Sequence, residues 1–312
     1  MHSRRRRLGI LRSHKLLLLL LSVHAVFVLF TAVCRKRVEC YRFLPRLHKE
    51  LRRNSFDWRK LLTSTKVQTK FSYSAEELPV HVISPERVRE RILQTRLSLQ
   101  TQKVPFTISG GVDGLQPFNS SLLDKYAGHK RKQYLKKFDK MTSEDLQTVH
   151  AMSSAELTHD IKFALHERLR FACYLSHVLE WESALQRGLP LLVVLEDDVI
   201  LEENFVPELR AILNDLPSSW GLLHLNGCYK KLGPAFGHRV WQSQGGLCTH
   251  GYVISARAMR ALLSSTAQKS NKPIDHMLDD EIMTGRLMAF HAEPPLIILV
   301  KDLPSTLGYL TS

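Results

Sequence analysis

Leu191-Leu192-Val193-Val194-Leu195-Glu196-Asp197-Asp198-Val199-Ile200 is an apolar, β-branched run that ends in three carboxylates. The apolar half reads as a strand buried on both faces, as in an α/β sheet. In such sheets ligands sit beyond the carboxyl ends of the strands, which is where Glu196, Asp197 and Asp198 fall. Like charges held together are costly unless a cation holds them. Hard oxygen ligands suit Mg²⁺ or Mn²⁺, with substrate phosphates completing the shell. The stretch therefore points to a divalent metal holding a phosphorylated substrate. A solvated acidic strand end before a turn is the alternative.

Working outward, residues 167–186 place Leu169, Ala172, Cys173, Leu175, Leu179 and Leu185 at helical spacing, and Gly188 and Pro190 close that helix. Upstream, 78–84 reads as a first strand, and Arg87, Arg89, Arg91 and Arg96 fall on a helical segment. Residues 105–109 read as a second strand opening into Gly110-Gly111-Val112-Asp113-Gly114, a loop that permits close backbone approach. Strand, helix, strand is the start of a doubly wound sheet. Downstream the pattern predicts a helix over 205–213, strands over 221–226 and 251–255, and a helix over 256–263. Residues 124–150 carry Lys130, Arg131, Lys132, Lys136, Lys137 and Lys140 between Tyr126 and Tyr134. They read as a solvated surface helix, with an acceptor- or phosphate-facing lid as the alternative.

Charge is unevenly placed. Of 44 Lys and Arg and 30 Asp and Glu, residues 1–66 hold 17 and 3, leaving 27 of each sign beyond. The formal charge of +14 is thus a property of the N-terminal segment. A nucleic-acid partner wants a basic patch on the folded domain, so that class has no support. In the segment, Arg4-Arg5-Arg6-Arg7, Arg12 and Lys15 precede an apolar stretch over 16–33 with six consecutive leucines. At 1.5 Å per residue it spans about 27 Å, enough for one membrane helix. The sequence around Thr31-Ala32-Val33-Cys34 is a poor cleavage site, which favours an uncleaved signal anchor. The expected organisation is a cytosolic basic tail over 1–15, an anchor over 16–33, a stem over 34–77 and a catalytic domain over 78–312. The domain would lie in the lumen of the Golgi or endoplasmic reticulum, as a single-pass type II protein. The sequon Asn119-Ser120-Ser121 is compatible with that side. Of five cysteines, Cys228 and Cys248 either form a bridge there or remain buried thiols.

Several pieces, in order, resemble glycosyltransferase family 25. They are His81-Val82-Ile83-Ser84-Pro85-Glu86-Arg87, then Val112-Asp113-Gly114, then Ala172-Cys173-Tyr174-Leu175-Ser176-His177 with Trp181 following. Leu195-Glu196-Asp197-Asp198-Val199, Gly251-Tyr252-Val253-Ile254-Ser255, Pro273-Ile274-Asp275 and Glu293-Pro294-Pro295-Leu296-Ile297 complete the series. The opening turn is one residue shorter than the family's pattern. Animal procollagen members carry two related domains, and one fits here.

The resemblance implies an α/β, GT-A-like Rossmann-type nucleotide-sugar-binding fold. It also implies a UDP-sugar donor (UDP-galactose), a glycoprotein or glycan acceptor, and inversion at the anomeric carbon. Mn²⁺ or Mg²⁺ would neutralise the departing diphosphate, and a carboxylate would deprotonate the acceptor hydroxyl. Asp198 is expected as direct metal ligand, with Asp197 assisting at the metal or the ribose. Glu196 is expected to face the opposite way, since alternate strand residues do. Asp275 is the first choice of base, with Asp279, Asp280 and Glu281 as competitors. His81, Ser84, Arg87, Asp113, Ser176 and His177 are expected near the donor. His250 and His291 are possible third metal ligands. Competing readings are a catalytically inactive, membrane-tethered binding protein and a metal-dependent phosphohydrolase.

Overall fold

The computed structural model describes residues 78–300 apart from 87–89, 139, 153–157 and 265–270. The expected tail, anchor and stem, and Arg87, lie outside the described residues. Among the described residues no helix is long and apolar enough to cross a membrane.

The chain builds a mixed α/β fold around one large sheet. The first strand, β1 (Val80–Ser84), is followed by helix α1 (Ile92–Thr101) and β2 (Thr107–Gly110). Three short helices follow, α2 (Ser120–Tyr126), α3 (His129–Leu135) and α4 (Ser143–Ala151), before the 28-residue α5 (His159–Gln186). Next come β3 (Leu191–Glu196), β4 (Val199–Leu201), α6 (Phe205–Asp215), β5 (Leu222–His224), β6 (Leu232–Gly237) and β7 (Val240–Ser243). The described part closes with β8 (Gly251–Ser255), α7 (Ala256–Ser264), α8 (Ile274–Met283), β9 (Ala289–Ala292) and β10 (Ile297–Leu299).

The eight-stranded sheet has the order β2-β1-β3-β8-β5-β9-β7-β6. Its β2-β1-β3 part is parallel, as a doubly wound sheet requires. The rest departs from that expectation, because β8 runs antiparallel to both β3 and β5. A parallel return needs a crossover of a dozen or more residues, usually a helix. Between β5 and β8 the chain makes only the antiparallel pair β6 and β7.

Strand alternation sorts the apolar residues of β3 into two cores. Leu191, Val193 and Leu195 pack with Phe205, Leu209 and Ile212 of α6 on one face. Leu192 and Val194 pack with Leu175, Val178 and Trp181 of α5 on the other. Glu196 continues the second set and so points toward α5. The basic stretch folds as α2 to α4, with Lys130, Lys136 and Lys137 exposed. Arg131 is the exception, fully buried against the rings of Phe171 and Tyr174.

Candidate functional site

The acidic strand does not run through to Ile200. It stops at Glu196, and Asp197-Asp198 form a turn before β4 leaves the main sheet to pair with β10. Asp is a poor strand former, and here the turn is fixed from outside. Parallel pairing sets Ile83 opposite Glu196, so Ser84 arrives beside Asp197. Ser84 Oγ donates to Asp197 Oδ2 at 3.0 Å, and Arg91 Nε donates to Asp197 Oδ1 at 2.9 Å. Arg91 Nη2 then reaches Asp198 Oδ2 at 2.8 Å. The guanidinium is buried and spans both carboxylates. Asp197 is therefore committed to protein donors on both oxygens. Asp198 is engaged on one: its Oδ1 is buried and accepts no hydrogen bond.

On the α5 side a second network holds Glu196. Trp181 Nε1 donates to the Tyr252 hydroxyl at 2.9 Å, and that hydroxyl lies 2.8 Å from His177 Nδ1. The indole is a donor only, so the phenol oxygen accepts from it and its own proton goes to His177 Nδ1. This leaves His177 Nε2 carrying the hydrogen, 3.5 Å from Glu196 Oε1. Thr249 Oγ1 donates to the same oxygen at 2.8 Å. His250 Nδ1 lies 3.4 Å from Glu196 Oε2 and 3.8 Å from Asp198 Oδ1.

The electrostatics follow from burial and these partners. Burial alone would raise Glu196, but the His177 and His250 imidazoles, 3.5 and 3.4 Å from its oxygens, outweigh it and hold the carboxylate well below its ordinary range. Burial raises Asp198, and the Glu196 charge adds to it. Burial also raises Asp197, against the pull of Arg91. Burial would lower His250, but the Glu196 carboxylate 3.4 Å from its Nδ1, with the Asp198 charge, outweighs it and pushes the imidazole up. A cation among these groups would relieve the repulsion between Glu196 and Asp198.

Glu196, Asp198 and His250 each offer one ligand atom, all within 4.8 Å of one another. Two carboxylate oxygens and an imidazole nitrogen are a donor set that Mn²⁺ accepts. With the orphaned Asp198 Oδ1, the residues fit a divalent cation. Sequence reasoning put Asp197 and Asp198 forward as the metal pair. The structure gives Asp197 to Ser84 and Arg91 and turns Glu196 toward the cluster.

The other expected residues divide. Asp113 lines the same cleft with Arg91, Ser176, His177, Glu196 and Asp197, and its Oδ1 accepts from Leu115 N at 2.9 Å. Ser176 Oγ accepts from Val112 N at 2.8 Å and donates to Ala172 O at 2.8 Å, which pins the 110–114 loop to α5. His81 leaves the donor group: it bonds Glu180 of α5 through Nδ1 and accepts from Arg187 Nη2 at 2.8 Å through Nε2.

On α8, Asp275 Oδ2 accepts from Cys248 N at 3.3 Å and Asp279 Oδ1 from Gly246 N at 2.9 Å. These two carboxylates clamp the loop that carries His250. Gly245 enters that loop at φ +125°, where a Cβ would collide with Asp279 Oδ1. Glu281 is a bidentate partner of Arg286 at 2.7 and 2.9 Å, and Asp280 pairs with Lys272. Glu281 and Asp280 are thus each paired with a cation, whereas Asp275 and Asp279 accept backbone N–H groups of the His250 loop. His291 is buried beside Ser243 and stacked on His224, outside the metal cluster. A disulfide joins Cys228 to Cys248, resolving the open alternative. Thr249 was not legible as a site residue; its only signal is its place beside His250 at the entry to β8.

A family model for glycosyltransferase family 25 (LPS biosynthesis protein) matches residues 77–278. The chain is 28% identical over 215 residues to inactive glycosyltransferase 25 family member 3 of Mus musculus, covering 64% of this chain and 31% of the relative. It is 30% identical over 146 residues to procollagen galactosyltransferase 1 of Danio rerio, covering 40% and 24%. It is 31% identical over 125 residues to the lacto-N-neotetraose biosynthesis glycosyltransferase LgtB of Neisseria meningitidis serogroup B, covering 34% and 44%. The matched segments span less than half the length of each relative. With a family match over residues 77–278 of its 312, the chain belongs to glycosyltransferase family 25.

Proposed function

We propose that the protein transfers a hexose, galactose by its resemblance, from a UDP-sugar to a hydroxyl of a glycoprotein or glycan, with inversion. The observation that carries this reading is the Glu196–Asp198–His250 cluster beside a cleft at the strand ends, with Asp198 Oδ1 left unbonded. Mn²⁺ (or Mg²⁺) bound there would neutralise negative charge on the departing nucleoside diphosphate. The chain's own residues do the rest. Arg91 and Ser84 hold the Asp197-Asp198 turn, and Arg91 leaves Asp198 Oδ1 facing His250. The Trp181–Tyr252–His177 chain fixes the orientation of Glu196. Asp275, a half-buried carboxylate whose charge acts on both His250 and Cys173, is our choice to accept the proton of the attacking hydroxyl. The apolar segment 16–33 with its basic flanks supports anchoring in the Golgi or endoplasmic reticulum membrane, the catalytic domain on the lumenal side.

A second reading, a family member that binds without transferring, is favoured by one observation: Arg91 already supplies a positive charge to Asp198. The deciding experiment measures UDP binding by calorimetry to the purified full-length chain, with Mn²⁺ and with chelator, beside UDP release from a panel of UDP-sugars. We expect manganese to tighten UDP binding, Asp198→Ala to abolish that gain, and one UDP-sugar to be hydrolysed slowly. Metal-tightened binding without release from any sugar nucleotide leaves strict acceptor dependence or the non-transferring reading, and continued absence of release with glycan and glycoprotein acceptors added would select the latter. Absence of manganese-dependent UDP binding would overturn the metal site and the transfer reaction with it.

A further inference from the structure

His250 stands between two ligand sets. Its Nδ1 faces the Glu196 and Asp198 carboxylates, and its Nε2 lies 3.8 Å from Cys228 Sγ. Cys228, Cys248 and His250 each place a ligand atom within 4.8 Å of the other two. We propose that reduction of the Cys228–Cys248 bridge creates a second cation site, in which both thiolates and His250 Nε2 bind a borderline-soft divalent ion such as Zn²⁺.

Three features support it. A tetrahedral zinc with Zn–S of about 2.3 Å and Zn–N of about 2.0 Å separates sulfur from nitrogen by roughly 3.5 Å. The Cys228–His250 separation is already 3.8 Å. The two cysteines are also held together independently of their covalent bond. Cys228 N donates to Leu247 O at 2.9 Å, and Leu247 N donates to Cys228 O at 2.9 Å. Lys231 N to Gly245 O and Gln244 N to Lys231 O extend that ladder, and Asp275 and Asp279 clamp it from α8. The sulfurs therefore stay adjacent when the bridge opens. Finally, metal-binding histidines usually direct the other ring nitrogen at a carboxylate that fixes the tautomer. Glu196 Oε2 stands there, 3.4 Å from Nδ1.

The chemistry balances simply. A dithiol delivers two electrons and two protons, the S–S bond breaks into two thiols, and the dithiol becomes its own disulfide. Binding of the divalent ion then releases both thiol protons. Three protein ligands leave a fourth position for solvent. The bridge thus decides which set His250 serves: carboxylates when closed, thiolates when open. This inference rests on the loop geometry and not on the transferase reading, so either can fail alone.

The test uses Co²⁺ as the probe, added without oxygen to the purified full-length chain in which Cys34, Cys173 and Cys40 are replaced by serine. After reduction and removal of the reductant, we expect one equivalent to bind with a thiolate-to-cobalt charge-transfer band. The oxidised chain and its Cys248→Ser variant should show no such band. Glu196→Gln should weaken cobalt binding roughly 10- to 100-fold, as loss of an orienting carboxylate does, and His250→Ala by at least about tenfold. A reduced chain that stays folded by circular dichroism yet gives no band overturns the proposal. So does a band that survives Cys248→Ser, or cobalt affinity unchanged by His250→Ala. Unfolding on reduction overturns the preformed scaffold on which the site depends.

Discussion

Replacing Tyr252 by Phe removes one oxygen from the centre of the molecule, and the structure says what that oxygen holds. The Tyr252 side chain is completely buried, between Trp181 and His177 of α5. Burial pushes its phenol well above the ordinary tyrosine range, which favours the protonated form that donates to His177. Without the hydroxyl, Trp181 Nε1 loses its acceptor and His177 Nδ1 loses its donor, both in a dry core. An orphaned buried polar group costs about 1–3 kcal/mol. Two such groups, with ring packing unchanged, place the loss at roughly 3 kcal/mol. For a domain of this size each kcal/mol moves Tm by about 2–4 °C, so we expect a drop of roughly 6–12 °C. Urea denaturation of wild type and Tyr252→Phe supplies the free energy, with unchanged m confirming that only stability has moved. Tyr229→Phe is the control, since Tyr229 is 83% exposed and should shift stability by less than about 0.5 kcal/mol. A Tyr252→Phe variant within about 0.5 kcal/mol of wild type would refute the hydrogen-bond order assigned to Trp181, Tyr252 and His177.

Two further outcomes follow from buried charge. Arg91→Gln strips Asp197 of its cation while leaving the carboxylate 3% exposed, and breaking a buried pair from one side costs about 3–5 kcal/mol; chemical denaturation showing a change below about 1 kcal/mol would contradict the bridging role. The stacked pair His224 and His291 gives a pH dependence whose sign is fixed by burial. Desolvation pushes His224 down to about 3 and His291 down to about 4, so both rings stay neutral in the fold. The unfolded chain takes up their protons below about pH 6.5. Stability is therefore complete above that pH and falls toward about pH 4, by up to about 1.4 kcal/mol per pH unit for each ring. Denaturation midpoints at pH 7, 6 and 5 read the slope, and His224→Phe should flatten it by one proton's share; an unaltered slope would exclude that ring as a source.

Much of the fold was legible because its elements carry strong local signals. The strand over 251–255 and the helix that follows show in the burial pattern of Gly251–Ser255 and in the amphipathic face of Ala256–Ser264. The reversed direction of β8 was not legible. It depends on what lies between β5 and β8, and a stretch such as Leu232–Gly237 is largely exposed and carries no apolar alternation. Helix α5 also begins earlier than its leucine pattern, because Thr158 caps it and its first turns pack in a separate small core with Leu115, Phe138 and Leu146.

The site shows where composition stops informing. Glu196, Asp197 and Asp198 are interchangeable to any argument based on charge, and only the third dimension distinguishes them. Glu196 belongs to the strand, so pleat alternation alone sends it toward α5 and its histidine. Asp197 and Asp198 belong to the turn, and Arg91, 106 residues away from Asp197 in sequence, apportions them. That guanidinium has more donors than Asp197 has oxygens left after Ser84, so it reaches on to Asp198 and takes one oxygen there. The oxygen it leaves is the one facing His250. The proposed cation ligand is thus picked out by exclusion: it is the single carboxylate oxygen of the turn that neither Ser84 nor Arg91 has satisfied. The same reasoning separates the carboxylates of α8. Glu281 is held at both oxygens by the Arg286 guanidinium, while Asp275 receives backbone N–H groups from Cys248 and His276 and its charge reaches His250.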